Sequence, residues 1–471
     1  MNGLIIHSIS FWVFKVRGIQ ALADINIKKG HDIQISGKPE LLVYPLQKSK
    51  TVAIKPSEFR GIKPKLLVKE GDEVKIGTPI FYHKSNPDLK FPSVGCGVVE
   101  KIQIGPRRSI EKIIIKLSDE ENCENFKSYR FHEINTLSRE DIVESFIAGC
   151  LFPFIRQRPF NKIPTKIEFP RDIFISGINT APLSVDLDLA LQRKQSQFQA
   201  GIFALNKLTD GNVHITYSED TVSNTMLETK GAVHHTISGP HPAGNIGIQI
   251  HHIAPLNLKD IVWTLNAQDV VRIGTFFLTG ELDVSNIITV VGPSIKKPAH
   301  YISRIGNEMT SIVHDNLQDE NFRLISGDVL TGKTSSMEGH SNFYDTTITV
   351  IPENDEREFL GMLRPGSSTT RYSLTRAFFG SKSNGFDFST SKNGSERYVV
   401  PINAWEDVLP MDIMPNPLYR AILVEDIEEM EQLGIIECDD EDFALCSFAC
   451  PSKIDVGGTI RQGLDLMEKE S

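Results

Sequence analysis

The chain has no apolar run long enough to cross a bilayer, only six cysteines in 471 residues, and no long basic stretch interleaved with aromatics. Each absence excludes something. A spanning helix needs about 20 consecutive, mostly apolar residues. The most apolar opening, residues 4–14, is broken by His7, Ser8 and Ser10. It also lacks a basic leader and a small-residue cleavage site, so residues 1–24 are expected to be an N-terminal extension. Any membrane role is then expected to come through partners. Six scattered cysteines make no disulfide framework, which sets a reducing compartment as the default. The missing basic run argues against a nucleic-acid partner. No H-E-x-x-H and no G-x-S-x-G elbow occurs, so neither the zinc-protease nor the hydrolase motif is available.

What is present is a 40% hydrophobic chain long enough for several cores. Its net charge of −10 is unevenly spread. Residues 28–116 hold 18 Lys/Arg against 9 Asp/Glu, whereas residues 406–470 hold 17 acidic against 4 basic. Opposite charge at the two ends predicts docking surfaces, for partners or for each other.

Four styles of sequence follow one another. Residues 25–124 read as short strands and Gly turns in two related hairpin sets, as in KLLVKEGDEVKIGTPIFYHK and FPSVGCGVVEKIQIGPRRSIEKIIIKL, which predicts a lipoyl-like barrel-sandwich hybrid. Lys84 and Lys90 occupy the interval where carrier domains present a modified lysine, but neither has the flanking residues such modification reads. Residues 125–258 alternate strand and helix, predicting a Rossmann-like parallel sheet. Its first strand-to-helix turn, Ser176-Gly177-Ile178-Asn179-Thr180, has no G-x-G-x-x-G, so NAD or FMN is not expected there. Residues 259–340 suggest a small β-grasp domain, 341–404 a loop/β region, and 405–471 a helical domain. In the last, one helix from Asn416-Pro417 to Gly434 is expected to bury Leu418, Ile422, Ile427, Met430 and Leu433.

Three stretches invite chemistry. CDDEDFALCSFACP (residues 438–451) ends like the ferredoxin motif C-x2-C-x2-C-x3-C-P, yet Asp440 and Phe443 stand at the two earlier ligand positions. On ligand count, Cys446 and Cys450 are expected to pack with Phe443 on one helix stripe. SGPHPAGNIGIQIHHIAP (residues 238–255) carries His241, His251 and His252, just after His234 and His235. Adjacent histidines on a strand would point to opposite faces, so a rigid loop shaping a pocket around His241 is favoured over a metal site. GDVLTGKT (residues 327–334) formally matches G-x4-G-K-[ST], but glycine-broken and then strand-like residues follow where a phosphate-binding helix is required.

Taken in order, IKKGHDIQISGKPE, KLLVKEGDEVKIGTPIF, NTAPLSVDLDLAL, SGPHPAG, VWTLNAQDVVRIG, RLISGDVLTG, PINAWEDVLPMDIMP and FALCSFACPSK resemble the NqrA family of the Na⁺-translocating NADH:quinone oxidoreductases, from about residue 25 onward. The resemblance implies an SLBB-like β-grasp domain and a peripheral position on the cytoplasmic face of the bacterial inner membrane. It implies five partner subunits, some integral to the membrane, in a six-subunit complex. It also implies a fold related to the NADH/FMN-binding component of complex I and to the C component of the Rnf complex, stripped of their flavin and cluster ligands. The implied ligand is a quinone, ubiquinone or menaquinone, with NADH, flavins and Na⁺ handled by other subunits. The expected quinone contacts are Gly239, Pro240 and His241, with neighbouring His251. The alternative is an Rnf-type iron–sulfur subunit using Cys446 and Cys450.

Overall fold

The computed structural model describes residues 23–165, 168–354, 372, 374, 385–400 and 402–470. Residues 1–22 of the expected extension, and most of 355–384, lie outside that set. The described chain is a mixed α/β multidomain protein built on four sheets.

The barrel-sandwich hybrid comprises a four-stranded sheet (Thr51–Ile54, Ile110–Leu117, Gly97–Ile104, Glu73–Val74) and a three-stranded one (Pro64–Leu66, Pro79–His83, Asn86–Pro92). Positive φ at Gly71 (91°) and Gly77 (92°) makes the turns that the Gly-Asp and Gly-Thr-Pro signals announced. Phe81 and Phe91 stack 4.3 Å apart in its core, with Phe59 tilted against Phe91. Lys84 lies at the turn of the Pro79–His83/Asn86–Pro92 hairpin, while Lys90 sits within the second strand opposite Tyr82.

The α/β domain carries a six-stranded sheet in the order Ala23–Asn26, Val233–Ser238, Val213–Ser218, Asp172–Ser176, Val262–Asn266, Arg156–Arg158. All pairs are parallel except the last. Helices Gln195–Asn206 and Ala267–Thr279 cover one another closely. A Cβ on Gly274 would fall 1.7 Å from the Gln197 carbonyl oxygen, and one on Gly201 would fall 2.3 Å from that of Val270, so only glycine allows this approach. Burial of Phe198, Trp263, Phe276 and Phe277 here stabilises the fold by roughly 2–3 kcal/mol per side chain.

One expected boundary moves. Within the expected 25–124 domain, residues 51–117 build the barrel-sandwich sheets, while Ala23–Asn26 pairs with Val233–Ser238 and Glu40–Pro45 with Ala299–Arg304. The leading segment is therefore a strap across two other domains. The boundary placed at 258/259 falls near 283 instead, because Val262–Asn266 lies beside Asp172–Ser176 in the parallel sheet. VWTLN followed by AQDVVRIGTFFLT is one more strand–helix unit of the α/β pattern, which its length and amphipathic helix already encode.

The β-grasp sheet runs Lys333–Ser335, Phe322–Ser326, Thr347–Pro352, Ser285–Val291, Ala299–Arg304, Glu40–Pro45. Thr347–Pro352, expected in a separate loop/β region, is one of its central strands. The C-terminal domain is helical, with helices Pro415–Leu423, Ile427–Gln432, Ala444–Ala449 and Val456–Glu470. The single helix expected over 416–433 is two, because the Asp426 side chain accepts the Glu429 N–H 3.0 Å away and starts the second.

Candidate functional site

In the α/β sheet the chain runs from Asp172–Ser176 outward through Val213–Ser218 to Val233–Ser238, then returns to Val262–Asn266 on the other side. The strand order therefore reverses between Asp172–Ser176 and Val262–Asn266, and ligands of such sheets bind beyond the carboxyl ends of the strands at that point. A cavity of about 640 Å³ lies there, lined by Ser176, Asn179, His241 and Asn266. The other three domains close it with Glu58 and Arg60, with Asp328, Lys333 and Asp345, and with Asp439, Asp440 and Glu441.

Neither glycine-containing turn beside the cavity is free to cradle a pyrophosphate. The Gly177 N–H, at the turn where a pyrophosphate would be cradled, donates to the Thr216 carbonyl at 2.7 Å. A Cβ on Gly177 would meet the Met226 sulfur at 2.6 Å, so this glycine serves packing. Residues 327–334 form the turn and start of a β-hairpin, with Asp328 accepting the Leu330 and Thr331 N–H groups, and Lys333 begins a strand rather than a helix.

His241 is buried at one end of this cavity, its Nδ1 3.2 Å from the Thr180 hydroxyl. Burial lowers its pKa against the pull of Asp328 and Asp32, so the ring is neutral and offers one donor and one acceptor. Its neighbours act through the backbone. Gly239 has φ 127°, and a Cβ there would lie 2.2 Å from the Ile27 carbonyl oxygen. The His31 N–H donates to the His241 carbonyl at 2.8 Å, and the His241 N–H donates to Asp32 at 2.9 Å. Gly239-Pro240-His241 thus clamps the leading strap onto the sheet while presenting the imidazole to the cavity.

His251 is elsewhere. It lies with His252 on helix Ile246–Ile253, not on a strand, so the two rings are about 100° apart around the helix instead of on opposite sheet faces. The apolar run IGIQIHHI suits either structure. His251 Nε2 accepts the Asp412 N–H at 3.0 Å, which leaves Nδ1–H to donate to Glu437 at 2.8 Å. The pair joins the α/β and C-terminal domains and does not line the cavity. His234 and His235 are buried in strand Val233–Ser238, bonded to Tyr217 and His214. Burial, with His214 and His234 nearby, pushes His235 down to about 4.

The three cysteines of the C-terminal stretch are all buried. The Cys446 thiol donates to the Trp405 carbonyl at 3.7 Å and the Cys438 thiol to that of Gly434 at 3.6 Å. Burial raises both thiol pKa values, which keeps them protonated. Phe443 and Asp440 supply no thiolate, so the residues present do not fit an iron–sulfur cluster.

The acidic run beside them does the unexpected work. Arg158, buried in the α/β domain, places Nη2 2.9 Å from Asp439 and 2.6 Å from Glu441. Asn161 adds a hydrogen bond to Asp439 at 2.6 Å, and Arg461 approaches the same carboxylate to 3.3 Å. Arg60, from the barrel-sandwich domain, grips both oxygens of Asp440 at 2.9 and 3.0 Å. Burial opposes the charge on Arg158, but Asp439, Glu441 and Asp442 outweigh it. Asp439 is correspondingly held low despite its burial. Asp440 goes the other way: burial, then the Asp439 charge, push it up to about 7 in spite of Arg60. Three domains are clasped by three consecutive acids, Asp439, Asp440 and Glu441. The opposite charges of the two chain ends were the sequence signal, and the Arg60–Asp440 contact is one place where those ends meet.

A barrel-sandwich domain, an α/β domain without its nucleotide fingerprint, a β-grasp domain and a helical C-terminus define a class of multidomain α/β protein that retains a switch-point cavity. The family model for the NqrA N-terminal barrel-sandwich hybrid domain matches residues 25–118, that for the NqrA second alpha/beta domain residues 137–282, and that for the NQRA C-terminal domain, of SLBB type, residues 287–336. The A-subunit of the Na(+)-translocating NADH-quinone reductase of Pasteurella multocida is 36% identical over 95% of this chain and 100% of its own length. The corresponding proteins of Tolumonas auensis and Histophilus somni (strain 2336) are 35% and 36% identical over the same shares. The chain belongs to the NqrA family, the A-subunits of the Na⁺-translocating NADH-quinone reductases. Among solved structures, an NAD⁺-reducing [NiFe]-hydrogenase overlaps 47% of this chain and 48% of its own at 10% identity and a TM-score of 0.34, too slight a likeness to bear on function.

Proposed function

We propose that the chain is the peripheral NqrA component of a Na⁺-translocating NADH:quinone reductase, placed on the cytoplasmic face of the bacterial inner membrane. In this reading it binds the quinone, ubiquinone or menaquinone, that the whole complex reduces to quinol, and the reduction is coupled to Na⁺ export. NADH, flavins and Na⁺ are handled by the other subunits, so the isolated chain oxidises no NADH. The observation that carries the reading is the end-to-end similarity to NqrA proteins. Among the described residues no helix is long and apolar enough to cross a membrane, which agrees with a peripheral role.

For the quinone, the geometry supports the His241 end of the cavity. A quinone needs apolar walls and one or two donors for its carbonyl oxygens. Ile178, Val185, Leu187 and Leu330 line the same cavity as His241 and Asn179. Gly239 and Pro240 contribute by fixing His241 rather than by contact. A photoreactive quinone added to the full complex is expected to label peptides containing Ile178–Thr180 or His241. Label confined to other segments, or to other subunits, removes this site from consideration.

A further inference from the structure

We infer that the strand Glu40–Pro45 is a docking edge, where an extended, acid-flanked apolar segment from another member of the complex joins the β-grasp sheet as its seventh strand. This goes beyond the quinone reading and stands whether or not His241 binds quinone.

The strand is the last in its sheet, pairing only with Ala299–Arg304. Its outer edge therefore carries backbone groups without a ladder partner among the described residues. The pairing is bulged, with Glu40 opposite Ala299 and Val43 opposite His300, so Leu41 and Leu42 bow out of the ladder. They are 66% and 55% exposed, and Tyr44 is 40% exposed. Ile302 on the neighbouring strand, opposite Pro45, is 50% exposed and extends the patch. Proteins protect sheet edges with charges, bulges or covering elements. Here a bulge and Pro45 interrupt the edge, yet Leu41–Pro45 carries no charge, and an exposed apolar patch of this kind marks an interaction site.

Charge and hydrogen bonding select the occupant. Exposed Lys38, Lys296 and Lys297 flank one end of the patch, where the Glu40 N–H bonds the Pro298 carbonyl. Lys48 and Lys50 follow at the other end. The rim favours an acidic partner. Apolar lipid could cover the side chains but would leave the edge N–H and C=O groups unsatisfied. A partner strand covers both faces and completes the ladder.

The test places a photo-crosslinking amino acid at position 42 or 44 of the full chain, expressed with its complex in native membranes. Position 222 serves as control, since Val222 is 79% exposed on the α/β domain. Crosslinks at 42 and 44 but not 222, to one peptide of a co-purifying protein in which acidic residues flank an apolar run, are the expected result. In parallel, Leu42→Asp should cut recovery of the assembled complex by about ten-fold while the variant chain melts as the parent does. Crosslinks to lipid alone, to a second copy of this chain alone, or to nothing overturn the inference. So does unchanged recovery of Leu42→Asp complex.

Discussion

The two stretches with the most chemical side chains, residues 238–255 and 438–451, meet across one cavity and do opposite things there. In the first, the polar group that matters is kept neutral: His241 is buried, tied to Thr180, and presented by a glycine–proline loop. In the second, the groups that matter are the acids rather than the cysteines, and Asp439 is held charged beside Arg158. Asp439 and Glu441 meet Arg158, while Asp440 meets Arg60. The cysteines that draw the eye in CDDEDFALCSFACP are buried core thiols. A cysteine without enough neighbours of its own kind is a small apolar side chain. An acid beside a buried arginine is an architectural bond whose loss leaves a charge stranded.

The largest effect should come from breaking the clasp. Arg158→Ala removes the buried cation shared by Asp439 and Glu441, leaving Asp439 with Arg461 at 3.3 Å and the Asn161 amide, and is expected to destabilise the chain by about 3 kcal/mol, read as a lower urea midpoint. A near-parental midpoint would put the clasp on a par with a surface pair. On the other side of the comparison, Gly239→Ala forces a side chain into the Ile27 carbonyl at positive φ, and a loss of about 2 kcal/mol is expected. Release of the leading strap should show as faster amide exchange over residues 27–32.

Acidity separates the two stretches by sign. Asp440, raised to about 7 in the folded chain, takes up its proton there before the unfolded chain does. Its contribution therefore grows as pH falls from about 7 toward 4 and is lost as pH rises back through 7. His241 is lowered by burial, so the unfolded chain protonates first and stability is lost as pH falls below the ordinary histidine value, about 6.5. Asp440→Asn should remove the first slope and His241→Gln the second, each seen in melting temperature against pH. Slopes of the same sign would erase the contrast. The smallest effect belongs to the thiols. Cys446→Ala with Cys450→Ala should cost about 1–2 kcal/mol of packing and leave visible absorbance in the iron–sulfur region unchanged. Loss of a brown band there would instead reinstate an iron–sulfur reading.

Much of this architecture was legible in the chain. Gly71 and Gly77 mark real barrel-sandwich turns, Phe443 and Cys446 are core, and the missing phosphate fingerprint at Ser176–Thr180 corresponds to a turn already spent on Thr216 and Met226. The strap was not legible, because residues 23–45 are strand-like without saying which sheet they complete. Strand partners far apart in sequence leave no local mark. The helix carrying His251 was missed since a short apolar run fits both periods. His241 was found as an oddity of proline and glycine spacing, whereas Arg158 and Arg60 carried no local signal. Only the opposed charges of the chain's two ends hinted that acids near residue 440 would find bases far upstream.

The most direct measurement is NADH-driven quinone reduction, with and without Na⁺, in membranes lacking this chain and again after it is restored. Na⁺-stimulated quinol formation should vanish without the chain, return with it, and stay low with a His241→Ala chain that assembles normally. Undiminished Na⁺-stimulated quinol formation in its absence would contradict the assignment.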